Sequence, residues 1–236
     1  MNVSFEQIMD SSSIEEFKTR LRGSACDRCS LCQHDNSVVV SRGAPGASIM
    51  LIGEGPGLGE NIEGYPFVGP SGQLLDRVMS AIGVDTNRDC YLTNVVKCRP
   101  VAPQGCGKQN YTPMTKQCRT CILYLLKEIE LIRPKIIVSI GLTPVKYLYN
   151  LPDYKMGAVA GRLVCPAREE IQGTLCFSLY HTAYILHSKK KGNVEVLKAK
   201  NRMWNDVKTL REIIRNEGIE TSLQEWRSQT TNVSTL

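Results

Sequence analysis

The sequence predicts an α/β fold: a single domain with a central, mostly parallel sheet flanked by helices on both faces. Three observations carry that expectation. Short apolar or β-branched runs alternate with longer segments of helical periodicity. The runs ASIMLIGEG, CYLTNVVKC, KIIVSIGL and TLCFSLYH read as buried strands. The 236 residues are 42% hydrophobic, enough for the core of one ordinary domain. We place that domain at 1–218 and a polar C-terminal tail at 219–236.

The elements follow in order. Residues 1–24 read as helical, with Ser11, Ser12 or Ser13 capping IEEFKTRL. A cysteine loop, ACDRCSLC, precedes two strand-like runs, SVVVS and ASIMLIGEG. PSGQLLDRVMSAIGV is a helix with Leu74, Leu75, Val78, Met79 and Ile82 on one stripe and Ser71 as its cap. CYLTNVVKC is a strand, 99–117 a loop, and CRTCILYLLKEIELIRP a helix closed by Pro134. KIIVSIGL is a strand and TPVKYLYNL a helix. Residues 151–173 are irregular apart from a short strand at GRLVCPA, and TLCFSLYH is the last strand. A final helix spans roughly 194–216. In parallel sheets ligands bind beyond the carboxyl ends of the strands. The loops after Gly53, Asn94 and Tyr180 are therefore expected on one rim.

Composition narrows the class. The 29 Lys+Arg and 23 Asp+Glu give a net charge of +6, which permits a polyanionic partner without requiring one. The first 20 residues lack the pattern of a signal peptide, and no apolar run reaches bilayer length, so a soluble, cytoplasmic protein with no membrane partner is expected. Ten cysteines then point to metal ligands rather than disulfides. Cys26 and Cys29 are spaced C-x2-C, as are Cys118 and Cys121. That spacing alone suits zinc or an iron–sulfur cluster. Cys90, Cys165 and Cys176, on strand-like runs, read as buried inert thiols.

Residues 51–75 hold seven glycines and three prolines, yet neither GxxxxGK[ST] nor GxGxxG fits. A tight turn accounts for glycines but not for Glu54 directly after a strand or for Phe67. Of three histidines, His181 is best placed, ending a strand.

These residues carry a resemblance. GEGPGLGENIEGYPFVGPSGQLL, residues 53–75, resembles the first motif of the family 4, iron–sulfur type uracil-DNA glycosylases, GEAPG-x-x-E-D-x-x-G-x-PFVG-x-(A/S)-G-x-LL. YLTNVVKCRP, residues 91–100, resembles the same family's YITNVVKCRP. The likeness runs from Cys26 to about Lys208 and implies a monofunctional DNA glycosylase that leaves an abasic site. It implies Glu54 as the acid positioning or activating water, and His181 as the donor to the base's O2. It further implies Phe67 as the stacking ring, Asn94 as the reader of the pyrimidine edge, and Glu60 as the group excluding a C5 methyl. A [4Fe–4S] cluster would be held by Cys26, Cys29, Cys98 and, by the family register, Cys121 rather than Cys118. DNA, single- or double-stranded with a flipped pyrimidine, is the implied partner of a monomer. Tyr184, Ile185 and Leu186 would wedge into the duplex, and Lys189, Lys190 and Lys191 would meet phosphates.

The chain departs from the pattern at Gly55 (usually Ala), Asn61 (usually Asp), Thr182 (usually Pro) and His187 (often Arg), and in the longer 101–112 loop with Cys106; Cys32 is also extra. Gly55 would free volume beside the base, making a modified pyrimidine an alternative substrate. Decay to a non-catalytic DNA-binding module is the other alternative. With no histidine between His34 and His181, covalent trapping of the abasic sugar is not expected.

Overall fold

In the computed structural model, the apolar runs join into one five-stranded sheet. Residues 3–33, 37–101, 111–188 and 193–215 are described. The strands are β1 (Ser41–Gly43), β2 (Ile49–Gly53), β3 (Cys90–Asn94), β4 (Ile136–Ile140) and β5 (Leu175–Leu179), in the order β1-β3-β2-β4-β5. β2 to β5 run parallel, and β1 closes one edge antiparallel to β3. Every residue of β2 to β5 is buried, because helices cover both faces.

Nine α-helices are found among the described residues: α1 (Phe5–Met9), α2 (Ile14–Gly23), α3 (Leu58–Glu63), α4 (Pro70–Ser80), α5 (Thr115–Ile132), α6 (Leu142–Tyr147), α7 (Met156–Val159), α8 (Thr182–Ser188) and α9 (Asn193–Arg215). Alternation along the strands splits the core in two. Met50, Ile52, Tyr91 and Ile137 face Phe17, Leu21 and Leu125 of α2 and α5. Leu51, Leu92, Val138 and Phe177 face Leu75, Met79, Met203 and Val207 of α4 and α9. None of these helices is long and apolar enough to cross a membrane.

Local physics explains where the expected elements shift. Ser13 caps α2 through Glu16 N–H, as its place before IEEF suggests. SVVVS does not form the edge strand. Val39 N–H bonds the Lys97 carbonyl, 2.8 Å, outside the ladder, and pairing begins only at Ser41. α4 starts at Pro70 behind Gly69, so Ser71 is not its cap; its hydroxyl is engaged elsewhere. GRLVCPA makes a single bridge, Leu163 to Phe177, and leaves Cys165 exposed, whereas Cys90 and Cys176 are buried as expected. The segment from Thr182 is helix α8. The expected tail, 219–236, lies outside the described residues.

Candidate active site

Sheet register brings the candidate residues together. Gly53 pairs with Asn94, and Ile140 with Leu179, so the parallel strands end level. Glu54, Asn94 and His181 therefore emerge on one rim. They line a cleft of about 330 Å³ with Gly55, Glu60 and Phe67. All six residues expected around the base thus share one hollow.

Glu54 follows β2 and accepts a hydrogen bond from the Thr143 hydroxyl at the start of α6. Burial pushes its carboxyl above the usual range, and the Thr143 bond opposes that rise. Asn94 ends β3 and is buried; its Nδ2 finds no hydrogen-bond partner among the described residues. A buried amide donor left without a partner within the fold is costly unless it serves a ligand.

His181 Nδ1 accepts the Ala183 N–H at 3.2 Å, with Ser71 Oγ 3.4 Å away. An accepting Nδ1 assigns the neutral ring's proton to Nε2. Thr182 accounts for its departure from the family's proline. Its hydroxyl donates to the Ser71 carbonyl at 2.8 Å and lies 2.6 Å from Ser71 Oγ, tying α8 to α4 beneath the histidine.

Phe67 has φ +59°, a left-handed backbone that costs a non-glycine residue about 1–2 kcal/mol. Two carboxylate contacts help to hold the turn: Glu60 accepts the N–H of Phe67 on one oxygen and that of Gly57 on the other. Burial raises the Glu60 carboxyl as well, and those two N–H donors oppose the shift. The ring is almost fully buried against Gly53, where an added Cβ would come within 2.6 Å of Cζ and 2.4 Å of Asn94 Oδ1. At Gly72 an added Cβ would lie 1.8 Å from the Phe67 carbonyl oxygen. In residues 51–75 only Gly64 has positive φ among the glycines. Close approach thus accounts for Gly53, Gly55 and Gly72, and a left-handed turn for Gly64, while an added Cβ at Gly59 or Gly69 would meet nothing within 4 Å.

Two expectations are corrected. Gly55 frees no volume beside a base, because a Cβ there would meet Val96 Cγ2 at 2.5 Å. Of the three wedge residues, Tyr184 is exposed and stacks on Tyr180, with ring centroids 5.2 Å apart. Ile185 is buried in the core against α4 and α9, and Leu186 is half-buried, so neither is presented like Tyr184. Lys189, Lys190 and Lys191 lie outside the described residues.

A second, small cavity is lined by Cys26, Cys29, Cys32, Cys98 and Cys121, walled by Leu21, Leu31 and Val38. Cys32 Sγ lies 3.6 Å from Cys98 Sγ. Hydrogen bonding with Cys32 pulls the Cys26 and Cys29 thiols down to about 6. The Lys97 N–H donates to Cys121 Sγ at 3.3 Å. Cys118 is buried outside this cavity, its thiol pushed up to about 12 by burial. No three potential ligands converge as around a single ion among the described residues. Five thiols thus face one apolar hollow, and one of their sulfurs accepts an amide N–H.

Sequence reasoning missed Thr143, Ser71 and Arg42. Arg42, on β1, donates to the carbonyls of Pro66 and Phe67. Thr143 and Arg42 lie outside the quoted motifs, and Ser71, inside the first motif, was read only as a helix cap.

Comparison with known proteins agrees with this geometry. Residues 40–208 match the model of the uracil DNA glycosylase superfamily. The chain is 35% identical over 164 residues to a type-4 uracil-DNA glycosylase of Pyrobaculum aerophilum, covering 68% of this chain and 79% of that one. It is 37% identical over 168 residues to the type-4 enzyme of Saccharolobus solfataricus, covering 69% and 73%. With the Thermotoga maritima enzyme it shares 29% identity over 193 residues, 82% of this chain and 91% of that one. The chain belongs to the uracil-DNA glycosylase superfamily.

Proposed function

We propose that this chain hydrolyses the N-glycosidic bond of uracil in DNA and leaves an abasic site. The observation that carries the reading is the buried Asn94 Nδ2 without a partner among the described residues, in a cleft shared with Glu54, Phe67 and His181. A base inside a duplex is out of reach, so it must rotate out into such a pocket. Stacking on Phe67 offsets part of the flipping cost by about 1–3 kcal/mol. The Asn94 amide donates to the pyrimidine's O4. Glu60, fixed by two backbone N–H groups, forms the wall that excludes a C5 methyl.

Bond breaking sends the N1–C1′ electron pair to the base, leaving a cationic sugar. The His181 Nε2–H donates to O2 as charge gathers there, worth roughly 3–4 kcal/mol if it acts like an oxyanion-hole donor. Glu54 orients the water that attacks C1′ and takes its proton. Tyr184 faces the DNA beside the pocket.

Cys26, Cys29, Cys98 and Cys121 would hold a [4Fe–4S] cluster. When bound it supplies a cross-link among the 26–32 loop, the segment after β3 and α5.

The test is base release from oligonucleotides carrying uracil, thymine or a bulkier modified pyrimidine. Uracil alone should be released, and Glu54→Gln and His181→Ala should abolish release while DNA binding persists. Release of the bulky base in place of uracil would overturn the reading.

A further inference from the structure

Arg42 is a nearly buried cation on an edge strand, and neither the cleft nor the family motifs account for it. Its guanidinium fills the seam between β1, the 66–67 turn, α4 and the 86–87 turn. Nε donates to the Pro66 carbonyl at 3.0 Å, and Nη2 to the Phe67 carbonyl at 3.4 Å and Asp76 Oδ1 at 2.6 Å. Nη1 reaches Asn87 Oδ1 at 2.6 Å and Thr86 Oγ1 at 3.4 Å. Thr86 Oγ1 donates in turn to Asp76 Oδ1 at 2.7 Å, closing the network. From the other side Glu60 accepts the Phe67 N–H. The Phe67 residue is therefore gripped at both ends: a carboxylate on its N–H and a guanidinium on its carbonyl. Between them the residue holds φ +59°.

We infer that Arg42 is a positioning residue for base binding: its fork holds the left-handed turn that sets the Phe67 ring over Gly53 and beside Asn94. The inference rests on the cleft's being a base pocket. Lysine cannot substitute, because a single ammonium lacks the planar fork that reaches two carbonyls and a carboxylate together. Asp76 anchors the guanidinium rather than contacting the ring, so the effect on a base passes through Phe67.

The experiment is a double-mutant cycle on inhibition by free uracil, using Arg42→Lys, Arg42→Ala, Phe67→Ala and Arg42→Ala/Phe67→Ala. Arg42→Lys keeps the charge beside Asp76, so the fold survives even if Arg42→Ala fails. Each single variant should weaken uracil inhibition about tenfold, the share of one stacking contact. The double variant should be no worse than Phe67→Ala alone, and affinity for a duplex already abasic should stay unchanged. A merely structural arginine predicts the reverse: rescue by lysine, equal loss on the abasic duplex, and losses that multiply. Any of those three results, or unchanged inhibition in both Arg42 variants, overturns the inference. If the oligonucleotide panel shows a different pyrimidine being released, the functional reading falls. The cycle is then run with that base, and additivity there decides against Arg42.

Discussion

Glu128→Gln should cost this protein a large share of its stability, although it changes one atom. Glu128 of α5 and Lys97, after β3, form an ion pair with side chains 0% and 2% exposed. Tyr91 OH donates to Glu128 Oε1 at 2.8 Å, and Thr93 Oγ1 lies 3.1 Å from the same oxygen. Lys97 Nζ also reaches Thr93 Oγ1 at 2.6 Å and the Asn94 carbonyl at 2.9 Å. Replacing the carboxylate by an amide leaves the ammonium buried without its counter-charge while the packing volume is unchanged. Breaking a buried pair from one side costs about 3–5 kcal/mol. For a chain of this size that is a fall of roughly 6–20 °C in Tm.

Chemical denaturation at pH 7 measures the first figure and a thermal scan the second. Lys97→Met/Glu128→Leu should recover much of the loss, since removing both charges removes the desolvation penalty with the attraction. Catalysis should suffer beyond stability, because Lys97 holds the carbonyl of Asn94. A loss below about 0.5 kcal/mol in Glu128→Gln, the range of an ordinary surface change, would refute the claim that the carboxylate is needed to balance the charge.

Three further outcomes follow from the geometry. Thr143→Val keeps side-chain volume but removes the donor that opposes the burial-raised pKa of Glu54, so the acid limb of the kcat/KM profile should move to higher pH. Gly72→Ala forces a Cβ to 1.8 Å from the Phe67 carbonyl oxygen, and should cost about 1–3 kcal/mol in denaturation together with uracil release. In a serine series, Cys121→Ser should lose iron by elemental analysis and Cys118→Ser should keep it, since only Cys121 lines the thiol cavity.

The parallel strands were legible because each is a short, continuous apolar run, and parallel topology alone puts their ends on one rim. That placed Glu54, Asn94 and His181 together from residues about 130 positions apart. What escaped was long-range closure by single polar side chains. Thr143 reaches Glu54 across 89 positions, and Thr182 reaches Ser71 across 111. Neither leaves a periodicity or a spacing in the chain. Gly55 was misread for a related reason: a missing side chain suggests space, but Val96 occupies the direction in which the side chain would point. Ile185 failed because an apolar residue beside a DNA-facing one looks the same whether it faces the duplex or the core.

Glu54 and Glu60 show how one cleft divides two carboxylates between chemistry and support. Burial raises both, yet their partners differ. Among the described residues Glu54 has one side-chain donor, the Thr143 hydroxyl on Oε2, so Oε1 is the oxygen that can serve water. Its folded-state pKa lies above the unfolded one, so its favourable contribution exists at acid pH and is lost as pH rises through the folded value. In its ionised form the group therefore destabilises the fold. Glu54→Gln should be inactive yet at least as stable as wild type at pH 7, with the difference closing as the pH falls. In Glu60 both oxygens accept backbone N–H groups. An amide offers one oxygen and turns an NH₂ toward the other donor, leaving a buried N–H unpaired at about 1–3 kcal/mol. Glu60→Gln should therefore lower Tm if the unpaired N–H costs more than removing the buried charge gains. Opposite signs in two isosteric substitutions a few residues apart follow only if one carboxylate is held for reaction and the other for holding Phe67; matching signs would dismiss the division.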